Sequence, residues 1–179
     1  TPKQSITDQK SSGRCWMFSG LNVLRSNLAQ RDSVNMEFSQ AYLFFWDQLE
    51  KANLMLQGVI DTAKEPIDHQ RVQFFFHHPI NDGGTFCGVS DLVDKYGLVP
   101  SEVMPESYSS DNTSMAAKIV SSKLREFGLQ LRDMVAAKKS TADINKAKTQ
   151  MLSEVYRILC LTIGEPVQTF NYAFKDKDG

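Results

Sequence analysis

The chain has 179 residues, of which 41% are hydrophobic and 23% are charged, a composition typical of packed globular proteins. Its 20 Lys and Arg residues nearly balance its 21 Asp and Glu residues, so the formal net charge is -1. This balance gives no electrostatic support for nucleic-acid binding, and no apolar run reaches the ~20 residues of a membrane helix. We therefore expect no membrane association.

The apolar pattern predicts a mainly helical first half of the chain. A helix follows Gly13, and its apolar residues Met17, Leu21, Leu24 and Leu28 predict the buried face. Ser39 is a candidate N-cap for the second helix. The third ends before Pro79, which cannot continue a helix. The fourth runs through Val89 to Tyr96 and is expected to end at Gly97.

The second half predicts a different organisation. The proline-containing stretch 98–108 is typical of an extended surface connection. Two long helical patterns around the polar stretch 136–143 predict a helical hairpin, and aromatic residues alternate in 170–174 as in a strand. We therefore predict a helical lobe in 1–108, a helical hairpin in 109–164, and the start of a strand in 165–179. A chain that begins with Thr1 and stops at a strand is expected to be a piece of a longer one.

The three cysteines, Cys15, Cys87 and Cys160, are too few for a disulfide framework and too far apart for a zinc knuckle. Their small, odd number favours a reducing compartment, so we expect a cytoplasmic protein without a metal or another cofactor.

The stretch DQKSSGRCWMFSG places Cys15 at a predicted helix start. A nucleophilic cysteine reacts as a thiolate, and a helix N-terminus favours negative charge. Arg14 adds a cation, although its side chain could also point to solvent. The Cys15 backbone N–H and the Gln9 side-chain amide are candidate donors to an oxyanion. These features leave two interpretations open, because free cysteines are also common as small buried core residues.

The pattern Gln-(five residues)-Cys-Trp-x-Phe-Ser resembles the signature of papain-like cysteine peptidases. Together with FSQAYLFFWDQLEK, NDGG and DKYGLVPSEVMPESY, it resembles the bleomycin hydrolase and aminopeptidase C family over residues 5–108, with weaker similarity beyond. The resemblance implies an α+β papain-like fold. This mainly α chain would be its helical lobe with a helical insertion, truncated before the β-rich lobe.

The resemblance also implies a set of site residues. Cys15 would be the nucleophile and Gln9 the oxyanion-hole amide, with Trp16 beside the substrate. By itself Asp-Gly-Gly is an ordinary turn in which glycine permits positive φ. In this family the loop would pair its backbone with an extended substrate, and here it would consist of Asp82, Gly83 and Gly84.

The catalytic His and its Asn partner are expected outside this chain, since His69, His77 and His78 fall in no matching motif. Without that base, we expect these 179 residues alone to be inactive.

Two departures from the family pattern are informative. Secreted papain-like enzymes carry a disulfide between the positions that are Ser12 and Asn81 here, and the joint absence agrees with a cytosolic enzyme. Phe86 and Cys87 follow the glycines where a Trp is expected from the animal enzymes, so the resemblance does not fix the subsite preference.

The function that the resemblance implies is that of a cysteine-type aminopeptidase. It would hydrolyse N-terminal peptide bonds and related amides through a thioester acyl-enzyme, as a homo-hexamer. The alternatives are a papain-like endopeptidase and a non-catalytic scaffold that binds nucleic acid. The charge balance gives little support to the last.

Overall fold

The computed structural model describes residues 4–173, and these form helices and connecting segments without a named strand. The prediction of a mainly α chain is confirmed. The helices are α1 (Cys15–Asp32), α2 (Gln40–Asp61), α3 (Gln70–His77), α4 (Phe86–Tyr96), α5 (Tyr108–Asp111), α6 (Ser114–Ala136) and α7 (Thr141–Thr162).

Local capping sets several of the predicted helix ends. The Ser39 hydroxyl oxygen accepts a hydrogen bond from the Tyr42 N–H at 3.0 Å, and α2 begins at the next residue. Gly97, with φ of 76°, ends α4 and donates its N–H to the Val93 carbonyl at 2.8 Å. These two predicted caps are confirmed because each satisfies a backbone group that the helix itself leaves unpaired.

The buried face of α1 is shifted from the predicted one. Leu24 and Leu28 are only half-buried, whereas Arg25 is buried. A Cβ atom added to Gly20 would lie 2.9 Å from Val89 Cγ2, so the absence of a side chain at Gly20 lets α1 approach α4 closely.

The segment 98–108 is only in part the surface connection that its prolines predict, since Glu102, Pro105 and Tyr108 are exposed but other residues are buried. Val99 and Met104 are buried, with 4% and 5% of their surfaces exposed. The Ser39 N–H donates to the Val99 carbonyl at 2.7 Å, and the Ser39 hydroxyl donates to the Met104 carbonyl at 2.5 Å. The prediction is wrong for Val99 and Met104, because their apolar side chains are buried and these backbone bonds hold both residues against Ser39.

The chain divides into two compact units that follow packing rather than chain order. The first unit comprises Thr1–Asp47, Asp82–Thr113 and Thr162–Gly179, and the second comprises Gln48–Asn81 and Ser114–Leu161. The predicted domains 1–108, 109–164 and 165–179 are each one continuous stretch of the chain, and this division stays a prediction.

Within the second unit, glycines let aromatic rings pack against helices. A Cβ atom on Gly58 would lie 2.2 Å from Phe75 Cζ, and one on Gly128 would lie 3.0 Å from Phe76 Cζ. The Arg125 guanidinium also donates to the Phe76 carbonyl at 2.8 Å. The contacts of Phe76 with Gly128 and Arg125 explain why residues 48–81 group with α6.

Residues 165–173 form no strand, and residues 174–179 lie outside the described residues. The predicted strand start therefore stays a prediction, since a strand is defined by its hydrogen-bonded partner. Among the helices of residues 4–173, none combines the length and the apolar character needed to span a bilayer.

Candidate active site

Cys15 is the first residue of α1, and its side chain is exposed rather than buried. The alternative of a small core residue is therefore wrong for this cysteine. Met17, on the buried face of the same turn, takes the core position instead with 0% of its surface exposed. The thiol is accessible at the end of the helix where the macrodipole favours negative charge.

The loop before Cys15 is closed on itself by two hydrogen bonds. The Gln9 side-chain amide donates to the Ser12 carbonyl at 2.6 Å, and the Ser12 hydroxyl donates to the Gln9 carbonyl at 2.6 Å. Lys10, between them, has φ of 52°. Because an amide NH₂ carries two hydrogens, Gln9 can still offer one to a substrate oxygen.

The exposed Asp8 side chain stiffens the entry to this loop. Its carboxylate accepts hydrogen bonds from the Lys10 side chain at 2.7 Å and from the Lys10 N–H at 2.8 Å. The side-chain bond first, and the backbone bond second, lower the pKa of Asp8 below its ordinary value.

Arg14 does not point to solvent. Its side chain is completely buried, and Nη1 lies 3.1 Å from Oε1 and 2.9 Å from Oε2 of Glu106. Of the two orientations that the sequence left open for Arg14, the solvent-facing one is therefore wrong, because Glu106, 92 residues further along the chain, binds the guanidinium inside the first unit.

Asp82 joins the predicted glycine loop to the loop before Cys15. Its carboxylate oxygen Oδ2 accepts hydrogen bonds from the Gly13 N–H at 3.1 Å and from the Thr113 hydroxyl. Its backbone carbonyl accepts from the Trp16 indole N–H at 2.7 Å. The structure thus brings together two motifs that are far apart in sequence. The hydrogen bonds of Asp82 hold these two motifs together.

Gly84 allows the glycine loop to lie directly on Trp16. A Cβ atom built on Gly84 would be 2.5 Å from Trp16 Cε2, closer than real side chains approach. The described glycines with positive φ include Gly97 and Gly164, whereas Gly84 does not use the positive φ that glycine permits in such a turn. Glycine is needed at position 84 for close approach rather than for backbone reversal.

Gly84→Ala is expected to lower the free energy of unfolding by about 1–3 kcal/mol, because the Trp16 ring is fixed by its bond to Asp82 and cannot move away freely. Gly88→Ala is the matched control, since its Cβ would lie 3.4 Å from Trp16 in the helical part of α4. There alanine should be neutral or stabilising by about 0.5–1 kcal/mol. Denaturant unfolding of both variants measures the difference, and equal stabilities would contradict the close-approach role.

The three histidines all belong to the second unit and have structural partners there. His69 Nδ1 accepts from the Arg71 N–H at 3.3 Å and caps α3, while His77 Nε2 lies 2.9 Å from Gln73 Oε1. His78 follows the last residue of α3. Within residues 4–173, no group of three His, Cys, Asp or Glu side chains is placed to hold a metal ion.

The positions that depart from the family pattern have distinct environments. Ser12 takes part in the bonds of the Gln9 loop, and the Asn81 carbonyl accepts from the Gln48 side chain at 3.0 Å. Phe86 and Cys87 begin α4 and are both exposed, with 62% of the Phe86 surface accessible. Both side chains are therefore accessible immediately after the glycine loop.

Sequence reasoning missed Glu106 and Thr113, which bond to Arg14 and Asp82. Neither lies in a recognisable local motif, and each is distant in sequence from its partner. The sequence offered one weak signal: Arg14 lies next to Cys15, and a charged residue that is buried needs a partner of opposite charge.

A family model described as the peptidase C1-like family matches residues 1–179. The human protein named bleomycin hydrolase is 42% identical over 176 residues, covering 97% of this chain and 39% of that protein. Aminopeptidase C of Lactobacillus delbrueckii subsp. lactis is 39% identical over 176 residues, covering 98% of this chain and 39% of that protein.

Similarity to a solved structure is equally extensive. The crystal structure of PepW from Lactobacillus rhamnosis HN001 superimposes with a TM-score of 0.94 at 43% identity, covering 98% of this chain and 40% of that one. The fold of this chain is therefore that of the matching part of PepW, and the chain spans about two fifths of the length of these relatives.

Proposed function

Because this chain belongs to the peptidase C1-like family, we propose that it carries the nucleophile and the oxyanion-binding half of a cysteine aminopeptidase. The observation that carries the proposal is the exposed Cys15 at the first position of α1, beside a Gln9 loop held by internal hydrogen bonds. Relatives named aminopeptidase C and aminopeptidase G support N-terminal cleavage.

The proposed reaction begins when the Cys15 thiolate attacks the carbonyl carbon of the scissile amide. The carbonyl oxygen becomes an oxyanion that accepts hydrogen bonds from the Cys15 N–H and the Gln9 amide. The C–N bond then breaks, an imidazolium donates its proton to the departing amine, and a thioester remains on Cys15. Water hydrolyses the thioester and restores the thiol.

The imidazole and the Asn that orients it would come from a β-rich segment outside these 179 residues. This agrees with the local structural bonds of His69 and His77. The glycine loop would bind the substrate backbone beside Cys15. Gly84 lacks a side chain where that approach is needed, and Asp82 holds the loop in place.

The substrate is proposed to be a peptide or a related amide with a free amino terminus. The test compares an aminoacyl fluorogenic amide with its N-acetylated form, using the full-length protein that carries this chain. We expect hydrolysis of the free amine and at most a few per cent of that rate for the blocked form. Faster cleavage of the blocked substrate, or of internal bonds in a long peptide, would identify an endopeptidase instead. The 179-residue chain alone is expected to hydrolyse neither substrate.

Cellular location and assembly remain further proposals. No disulfide joins Cys15, Cys87 or Cys160 in the part of the chain that the structure describes, which supports a reducing compartment such as the cytoplasm. Assembly as a homo-hexamer rests on the family resemblance alone. Nucleic-acid binding has no support from the net charge of -1.

A further inference from the structure

We propose that Arg14, through Ser12, is the positioning residue that holds Gln9 in its oxyanion-binding orientation. This inference rests on the proposed function, because it assigns Arg14 a task in the reaction attributed to Cys15 and Gln9. Arg14 itself is buried and would not touch the substrate.

A continuous chain of hydrogen bonds links these groups. Glu106 binds the Arg14 guanidinium, and Arg14 Nε donates to the Ser12 hydroxyl oxygen at 2.9 Å. The Ser12 hydroxyl then donates its own proton to the Gln9 carbonyl at 2.6 Å. Since Ser12 has a single proton, the bond from Arg14 leaves that proton directed at Gln9.

The same serine also fixes the Gln9 side chain. One N–H of the Gln9 amide donates to the Ser12 carbonyl at 2.6 Å. Ser12 therefore holds both the backbone and the side chain of Gln9 by hydrogen bonds. The hydrogen bond from the charged Arg14 guanidinium to the Ser12 hydroxyl is charge-assisted, so it is stronger than a bond between neutral groups. Loss of Arg14 should therefore loosen the orientation of Gln9.

The surroundings of Arg14 make its position well defined. Its side chain is 0% exposed, and its guanidinium carbon lies 5.0 Å from the Phe18 ring centre and 5.1 Å from that of Phe44. Cation–π contacts and one carboxylate partner partly compensate for burying the charge. A buried ion pair is a weak stabiliser compared with apolar packing, which points to a role in specifying the loop geometry.

The test is a set of double-mutant cycles in the full-length protein, with kcat and KM measured on an aminoacyl amide. Ser12→Ala and Arg14→Met are each expected to lower kcat by about 10- to 100-fold, with KM changed by less than about twofold. In a Gln9→Ala background, the same changes should lower kcat by less than about twofold, because the group they orient is already gone.

Arg25→Met is the matched control. Arg25 is a second buried arginine of α1, and its guanidinium lies 3.7 Å from Glu37 and donates to the Ser5 hydroxyl at 2.8 Å. Arg25→Met should lower the unfolding midpoint. Any change in kcat that it causes should be the same in the presence and in the absence of the Gln9 side chain. If Arg14→Met does not fold, Ser12→Ala decides, since it removes one hydroxyl and keeps the buried ion pair.

The outcomes separate this inference from the proposed function. Equal effects of Ser12→Ala in the presence and absence of the Gln9 side chain would overturn the positioning role while leaving the peptidase assignment intact. If Gln9→Ala itself leaves kcat unchanged, the oxyanion assignment and the positioning role are both overturned. Rescue of kcat by Arg14→Lys above the Arg14→Met level would support the role of the charge.

Discussion

Cys15→Ala in the full-length protein is expected to lower kcat for an aminoacyl amide on the order of 10⁶-fold, as loss of a nucleophile does in other acyl-transfer enzymes. The physical reason is that no thioester can form, so the reaction loses its covalent intermediate. The exposed position of Cys15 at the start of α1 also indicates that the substitution removes little packing. The unfolding midpoint should therefore stay close to that of the parent protein.

Cys160→Ala provides the control for loss of a thiol as such. Cys160 lies near the end of α7, and its side chain is half-buried. Its replacement should leave kcat within about twofold of the parent value, because Cys160 falls in none of the motifs of the proposed site. Normal turnover by the Cys15→Ala variant would refute the assignment of the nucleophile.

Gln9→Ala is expected to lower kcat by about 10²–10³-fold, which is the usual cost of losing one oxyanion donor. The remaining donor, the Cys15 N–H, would stabilise the tetrahedral intermediate alone. KM should change little, because the amide bonds more strongly to the developing oxyanion than to the neutral carbonyl. Steady-state kinetics on the same aminoacyl amide measure both constants.

Gln9→Glu separates the role of the donor from that of the side-chain volume. A carboxylate of nearly the same shape offers acceptors in place of the N–H groups and adds a negative charge beside the oxyanion. It should therefore be at least as damaging as Gln9→Ala. A kcat close to the parent value in either variant would show that Gln9 is not an oxyanion donor.

The helices were largely predictable because their signals are local. Periodic apolar residues, the Ser39 cap and the Gly97 cap each act within a few residues, and the structure contains each of them. Within the segment 98–108, the burial of Val99 and Met104 was not predicted, because prolines report backbone preference and not burial. It depends on contacts with residues that are distant in sequence, such as Ser39.

The candidate site was predictable only in part. The exposure of Cys15 and the bond between Asp82 and Gly13 agree with the interpretation of these motifs as one site, although their roles stay proposals. The burial of Arg14 could not be foreseen, because its partner Glu106 lies in a segment that the sequence assigned to the surface. Tertiary pairing of charges leaves no periodic signal in the chain.

The central claim is that Cys15 is the nucleophile, and selective labelling tests it most directly. The full-length protein is treated with an aminoacyl chloromethyl ketone, and the modified peptide is located by mass spectrometry. Cys15 and Cys87 are both exposed, so accessibility alone would favour neither decisively. We predict one label per chain, on Cys15, with loss of activity in proportion to labelling. Labelling of Cys87 in preference to Cys15, or full activity after complete modification of Cys15, would contradict the claim.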